Sequence, residues 1–299
     1  MAMKFFRKSR VRLAAATALG LLAATPSLAQ EEAPARPAMW KIADKDTTIY
    51  LFGTIHILPE DTHWFAGPVK KAFDSSDLLV TETEIGSAES LQQLFIDKGM
   101  RSDGTTLRAS LPAQERAAFE QALAGMGIPA EAFDRFEPWY AGLLLSLLPL
   151  KAAGYDKANG VETLIEARAA EKHKARKALE TPEYQIELFD GMPLESQNRY
   201  LGEVLEQLPT LREDVAKVVT AWKTGRADEL ASLLNEDESD EAVRAAFITN
   251  RNKAWAQWLQ ARMAEPGTVF VAVGAGHLAG EGSVQDQLAK VGIKAKRVQ

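Results

Sequence analysis

Apolar residues recur along this chain in two rhythms, a period of two near both ends and a helical period between them. Residues 39–43 and 47–52 (TTIYLF) are short β-rich runs joined by Asp44-Lys45-Asp46, the pattern of a hairpin. Residues 67–75 have helical spacing, and residues 77–82 (DLLVTE) read as a buried strand that ends on a carboxylate. From residue 87 to about 150 the period is helical, with Pro112 at one helix start and Pro138 opening another. The segment 139–153 (WYAGLLLSLLPLKAA) is nearly all apolar, but it is short and Pro149 interrupts it. It therefore predicts a buried core helix rather than a bilayer span, which needs about 20 apolar residues. Leu144 and Leu147 are its expected core positions, each worth about 2 to 5 kcal/mol if truncated.

Asn159-Gly160 marks a turn into a helix over 161–172, and residues 175–180 (ARKALE) predict another strand. After Pro182 the helical period runs to residue 264, with breaks near Pro193, Pro209 and Gly225; residues 235–241 form an acidic loop or helix start. A late strand at 268–273 (TVFVAV), a helix at 284–291 and an edge strand at 294–298 close the chain. This order predicts an α/β fold: a central mixed sheet in which N- and C-terminal strands pair, with a large helical insertion covering it. One domain over 39–299 is expected.

The first residues change the picture of where this domain works. Lys4, Arg7, Lys8, Arg10 and Arg12 precede an apolar stretch over 13–24 and the small-residue end Ser27-Leu28-Ala29, so residues 1–29 read as a signal peptide cleaved before Gln30. A periplasmic or secreted protein follows, with no permanent membrane anchor. Residues 30–38 (QEEAPARPA) read as a flexible lead-in that adds nothing to the core. Loss of the five leader cations takes the net charge from −6 to about −11, which argues against nucleic acid as a partner. With no cysteine in the chain, disulfides and Cys-containing zinc sites are excluded.

Two of the four histidines occupy one frame, Gly53-Thr54-Ile55-His56 and Gly274-Ala275-Gly276-His277, each just after a predicted strand. In open α/β sheets ligands bind outside the carboxyl ends of strands. Glu82 with Glu84, and Glu180, end two further strands, so parallel pairing would bring imidazoles and carboxylates into one crevice. Two neutral imidazoles and a carboxylate suit a divalent ion with an open position for water. Such an ion lowers the pKa of the water and polarises a carbonyl, with Glu180 or Glu162 as general base or acid. His173, in Glu171-Lys172-His173-Lys174, reads as solvated. Neither His-Glu-x-x-His nor Gly-x-Ser-x-Gly occurs. The Gly-x-Gly-x-x-Ala match over 274–279 has too little chain after it to build a dinucleotide site.

Six segments in order resemble the TraB/PrgY/GumN proteins, whose animal relatives include the TIKI metalloproteases. They are Tyr50 to His56, Leu79-Val80-Thr81-Glu82, Gly160-Val161-Glu162, Leu179-Glu180-Thr181 with Gln185, Arg251-Asn252 with Trp255, and Val273 to Leu278 with Gly280. The resemblance implies a single α/β domain and, for the TIKI branch, peptide cleavage dependent on a divalent metal such as Mn, Co or Zn. It implies His56, His277 and Glu82 as metal ligands, and Glu162, Glu180 and Arg251 as catalytic groups, Arg251 steadying an oxyanion or a substrate carboxylate. Glu84, Gln185 and Asn252 are then substrate-binding positions. Many relatives show Glu, an apolar residue and Asp where this chain has Glu82-Thr83-Glu84, which leaves open which acid faces the site.

The expected activity is an exported metal-dependent hydrolase acting on a peptide or small-molecule substrate. Two alternatives use the same crevice: a non-catalytic binding protein for a peptide, a haem or another small ligand, and a metal-free hydrolase working by His and Glu alone, as in the erythromycin esterase type.

Overall fold

A computed structural model describes residues 34–84, 88–235 and 241–299. The signal peptide read in residues 1–29 and most of the acidic block lie outside the described residues. Among the described residues eight strands are present: β1 (Met39–Ala43), β2 (Thr47–Thr54), β3 (Leu58–Pro59), β4 (Leu78–Thr83), β5 (Tyr155–Asp156), β6 (Ala175–Glu180), β7 (Gly267–Gly274) and β8 (Lys296–Arg297). Six of them form one sheet in the order β6-β4-β7-β2-β1-β8, while β3 and β5 make a separate two-stranded ladder. Strands β6, β4, β7 and β2 run parallel, and β1 and β8 are antiparallel additions at one side. The N-terminal β2 and C-terminal β7 pair along their full length, from Thr47 opposite Gly267 to Thr54 opposite Gly274. The expected mixed sheet, closed by strands from the two ends of the chain, is thus present.

Local chemistry accounts for the hairpin. The Asp44 carboxylate accepts hydrogen bonds from the Thr47 N–H at 2.8 Å and the Asp46 N–H at 3.2 Å, fixing the turn between β1 and β2. Both faces of the central β7 and of the later part of β2 are covered, so those stretches are continuously apolar rather than alternating, whereas β6 at the sheet edge is polar and partly exposed. Phe52, Leu79, Phe270 and Ala272 face a core shared with Trp64, Phe73, Val161, Ile165, Ala169 and Trp222. Ile49, Leu51, Val80, Val269, Val271 and Val273 face the opposite layer, built from Trp255, Ala256 and Leu259 of the helix Asn250–Arg262 and Val284 and Leu288 of the helix Val284–Lys290. Each fully buried large apolar side chain contributes about 1.5 to 3 kcal/mol.

Part of the helical insertion covers the sheet through Val161–Glu171 and Leu211–Lys223. Another part packs on itself: Leu107, Phe119, Leu123, Phe133, Leu145 and Leu201 form a purely helical core. The apolar segment belongs there as the helix Pro138–Ala152, which buries Trp139, Ala141, Leu145 and Leu150. Its other side is open, with Leu147 40% exposed and Leu144 only partly buried. Leu145 is fully buried in that core and Leu144 packs against it partly buried, while Leu147 is not a core position. Apolarity on every side hid the helix's orientation from a periodicity argument. No helix among the described residues is long and apolar enough to cross a membrane.

Over residues 34–38 the lead-in reading also needs correction. Ala35 and Pro37 are buried, and Ala35 sits in the core beside Met39. Ala35 N–H donates to the His63 carbonyl at 2.8 Å and Arg36 N–H to the Lys223 carbonyl at 2.7 Å. Residues 35 and 36, which look disordered by composition, are held by backbone acceptors of two other segments.

Candidate active site

The four parallel strands end on one edge, and the polar residues expected there converge on it from both sides of the sheet. On one side Thr54 closes β2 and the chain turns out at His56, while the helix Val161–Glu171 brings Glu162 across. Glu162 Oε1 lies 2.8 Å from His56 Nδ1 and also accepts the Thr54 hydroxyl proton. Glu162 Oε2 is buried and has no hydrogen-bond partner among the described residues. The His56 side chain is 71% exposed, so the pair lies at the mouth of the crevice. Glu162 raises the His56 pKa to about 9, outweighing desolvation, although the solvent around the ring screens that pull.

Close approach of two chain segments fixes this arrangement. Val161 N–H donates to the Ile55 carbonyl at 3.0 Å, and a Cβ on Gly160 would lie 2.1 Å from the His56 carbonyl oxygen. Only glycine fits at 160. Four residues beyond Glu162, buried Glu166 accepts from the Thr81 hydroxyl of β4 at 3.2 Å, so the same helix face grips two strands.

The other side of the edge holds a buried charge network. Arg251, at the start of Asn250–Arg262, donates from Nε to Glu180 Oε1 at 2.9 Å and from Nη2 to Glu180 Oε2 and Glu82 Oε2, both at 2.7 Å. Its Nη1 reaches the Phe247 carbonyl at 3.1 Å and His277 Nε2 at 3.0 Å. All five guanidinium N–H groups are thereby engaged. Trp255, one turn along, donates from Nε1 to Glu180 Oε1 at 2.9 Å, and its ring lies 4.4 Å from that of His277 and 4.8 Å from the guanidinium carbon. Glu82 Oε1 accepts from Gly274 N–H at 2.6 Å and lies 3.9 Å from His277 Nε2. Gln185 Nε2 donates to Glu82 Oε2 at 2.9 Å and Glu180 Oε2 at 3.1 Å.

Two titrations are displaced by these surroundings. Burial lowers the His277 pKa to about 4, against an upward pull from Glu82. Burial opposes ionisation of Glu82, but His277 when protonated, Arg251, His56 and the Gly274 N–H outweigh it and hold the pKa at about 2. Both histidines act electrostatically on Glu82, lowering its pKa.

Several expected roles change on this geometry. Arg251 and Glu180 face each other rather than the open crevice; with every N–H of Arg251 used, no donor is left for an oxyanion. Asn252 is fully buried, accepting from His277 Nδ1 at 2.7 Å and donating to the Gly282 carbonyl at 2.9 Å. It orients a histidine instead of touching substrate. Gln185 ties two carboxylates together. Glu84 lies past the end of β4, exposed, in a separate cleft with Thr81, Glu166, Lys174 and Arg176, so Glu82 is the acid that faces the site. Sequence reasoning missed Thr54, two residues before His56, whose hydroxyl donates to Glu162, and gave Trp255 no role although it stands one helical turn from Arg251.

The donor types suit a divalent ion, but their arrangement does not. His277 Nε2 and Glu82 Oε2 both bond the Arg251 guanidinium, and among the described residues no three His, Asp or Glu side chains come together in a metal-holding group.

An α/β sheet with an acid–base cluster across its carboxyl edge is the class that this fold and site define. The family model described as TraB/PrgY/gumN matches residues 38–297, and the chain belongs to that family. It is 24% identical over 273 residues to an uncharacterized protein of Treponema pallidum (strain Nichols), covering 84% of this chain and 80% of that one. It is also 24% identical over 249 residues to the uncharacterized protein YbaP of Escherichia coli (strain K12), covering 80% and 87%. No solved structure matches.

Proposed function

We propose that this chain is an exported hydrolase of amide or ester bonds in which His56 and Glu162 handle the proton. The observation that carries the reading is the 2.8 Å pairing of His56 Nδ1 with Glu162 on a ring open to solvent. A carboxylate on Nδ1 keeps the proton there and leaves Nε2 as the lone pair, the logic by which an acid orients a catalytic imidazole. His56 Nε2 takes a proton from water as its oxygen attacks the carbonyl carbon, and returns it to the leaving nitrogen or oxygen. Glu162 stabilises the imidazolium between those steps. The Arg251 network holds the sheet edge rigid behind the pair and keeps His277 neutral.

The divalent-ion reading with Mn, Co or Zn is the second one, and the unpartnered Glu162 Oε2 favours it, since a buried carboxylate oxygen calls for a cation, a water or a proton. It requires Arg251 to give up His277 and Glu82. Turnover of a mixed peptide and ester panel by the mature protein, before and after exhaustive chelation with metal analysis, tests both. Chelation-resistant turnover that is lost in His56→Ala supports the His–Glu mechanism; loss on chelation with rescue by a divalent ion replaces it with the metal reading. Absence of turnover on the whole panel, with tight binding of an unreacted ligand, overturns both.

A further inference from the structure

The helix Pro138–Ala152 meets the segment that carries His56. Leu144, Leu147, Leu148 and Lys151 follow one another at three- and four-residue spacings, so they form one stripe along that helix. With Ile57, the residue after His56, and Tyr155 of β5, this stripe lines a cleft of about 290 Å³. Backbone contacts tie the cleft to the site. β3, which follows Ile57, pairs with β5, Leu58 opposite Asp156 and Pro59 opposite Tyr155. The chain then returns to His56 through Lys157. Gly160 N–H donates to the Lys157 carbonyl at 3.0 Å, and a Cβ at 160 would lie 3.0 Å from that oxygen and 2.1 Å from the His56 carbonyl oxygen. Gly160 leads directly into Val161 and Glu162, so one compact run of chain sets the cleft beside the His56–Glu162 pair.

The lining has a definite chemistry. Leu147 and Leu148 are both exposed although they stand side by side in a concave wall, and apolar surface of that kind marks a place that receives an apolar group. Lys151 and Lys157 belong to the same lining, and neither has a hydrogen-bond or ion-pair partner among the described residues. The one acid there, Asp156, already has Oδ1 engaged by the Ala158 N–H at 2.7 Å. Two free cations against one acid leave the cleft net positive.

We infer that this cleft receives the apolar C-terminal residue of a peptide, its side chain against Ile57, Leu147 and Leu148 and its free carboxylate on Lys151 and Lys157. The inference rests on the hydrolase reading for the fate of the peptide, but not for its binding. An unpaired ammonium group recognises a carboxylate by a charge-assisted hydrogen bond, which an amide in the same place does not supply. The volume lies at the small end of ligand pockets, which run from about 300 Å³ upward, and suits one large side chain rather than a lipid tail.

The test uses the mature full chain and three probes: N-acetyl-alanyl-leucine, its C-terminal amide, and N-acetyl-alanyl-glycine. Binding is measured in His56→Ala, so that no cleavage disturbs it, and repeated in wild type; the backbone ¹H–¹⁵N resonances of Ile57, Tyr155 and Lys157 locate it. The leucine acid should bind at least about tenfold more tightly than either other probe. Lys151→Met combined with Lys157→Met should erase its advantage over the amide, and Leu147→Asp its advantage over the glycine probe, with near-ultraviolet circular dichroism native in both. If Leu147→Asp does not fold, Leu148→Ser, at another exposed position, is read the same way. Equal binding of acid and amide, preferences that survive these substitutions, or shifts confined to other residues overturn the assignment. Tighter binding of octanoate than of the leucine acid reassigns the cleft to a fatty acid and overturns the peptide assignment. Both preferences intact, with no probe cleaved by wild type, uphold the cleft and sink only the hydrolase reading.

Discussion

Arg251 Nη1 lies 3.0 Å from His277 Nε2, and because a guanidinium can only donate, the imidazole must accept. The proton of His277 is therefore on Nδ1, directed at Asn252 Oδ1 2.7 Å away. A buried ring caught between a permanent cation and an amide oxygen is neutral. Its depressed pKa means that the unfolded chain binds a proton between pH 6.5 and about 4 that the folded chain refuses. Stability should thus fall as pH drops through that window, by at most about 3 kcal/mol from this group. Glu82, held near 2 when folded, adds a second loss as pH falls below its ordinary value of 4.5. Urea midpoints at half-unit pH steps should show both phases, and in His277→Gln the upper one should vanish; a variant that keeps it shows that another group titrates there.

Arg251 neutralises part of two buried carboxylates. Arg251→Ala leaves Glu82 and Glu180 facing each other without a cation, and losing one member of such a network costs about 3 to 5 kcal/mol. Arg251→Lys keeps the charge and loses the fork that reaches both oxygens of Glu180, so it should recover only part of that loss. Chemical denaturation of the two variants measures the difference. Equal stability of Arg251→Lys and wild type would show that charge alone, and not the bidentate geometry, holds the edge together.

The proton on His56 depends on Glu162. In wild type the imidazole should stay protonated through neutral pH, titrating toward about 9, because Glu162 stabilises the charged ring. The basic form needed to accept a proton from water then grows as pH rises, so hydrolysis should increase on the alkaline side. Glu162→Gln removes the counter-charge and should move both the imidazole titration and the rate profile downward in pH. Long-range ¹H–¹⁵N spectra of the histidine rings report the first, and rate profiles the second; an unmoved His56 resonance would break the link between the two residues.

The sheet and the two Gly-x-x-His frames were legible in the sequence because β7 and the later part of β2 are buried, which writes apolar runs at 49–52 and 269–273. The meeting of Glu82, Glu180 and His277 around Arg251 followed from the common position of these three at strand ends. What each one does there was not legible. Arg251, Glu180 and Asn252 are the residue types of a reactive site, yet here they satisfy one another, and only distances separate a group that faces substrate from one that faces its neighbours. The same limit hid the exposed side of Pro138–Ala152, whose composition gives no amphipathic signal.

Gly160 offers a test that separates position from chemistry, since it carries no functional group. A methyl at 160 would sit 2.1 Å from the His56 carbonyl, far inside any contact distance, and the obstacle is backbone, so it cannot rotate away. The segments joined by the Val161 N–H to Ile55 carbonyl bond must therefore separate in Gly160→Ala. Overpacking of this kind costs about 1 to 3 kcal/mol. More telling is where the shift falls: Glu162 moves with the helix start while Thr54 stays in its strand, so the His56–Glu162 pairing should loosen. The variant should then show a lowered His56 pKa with the His277 resonance unchanged, because His277 is held by Arg251 and Asn252 on the other side of the sheet edge. Parallel displacement of both histidines would mean that the two halves of the site move as one body.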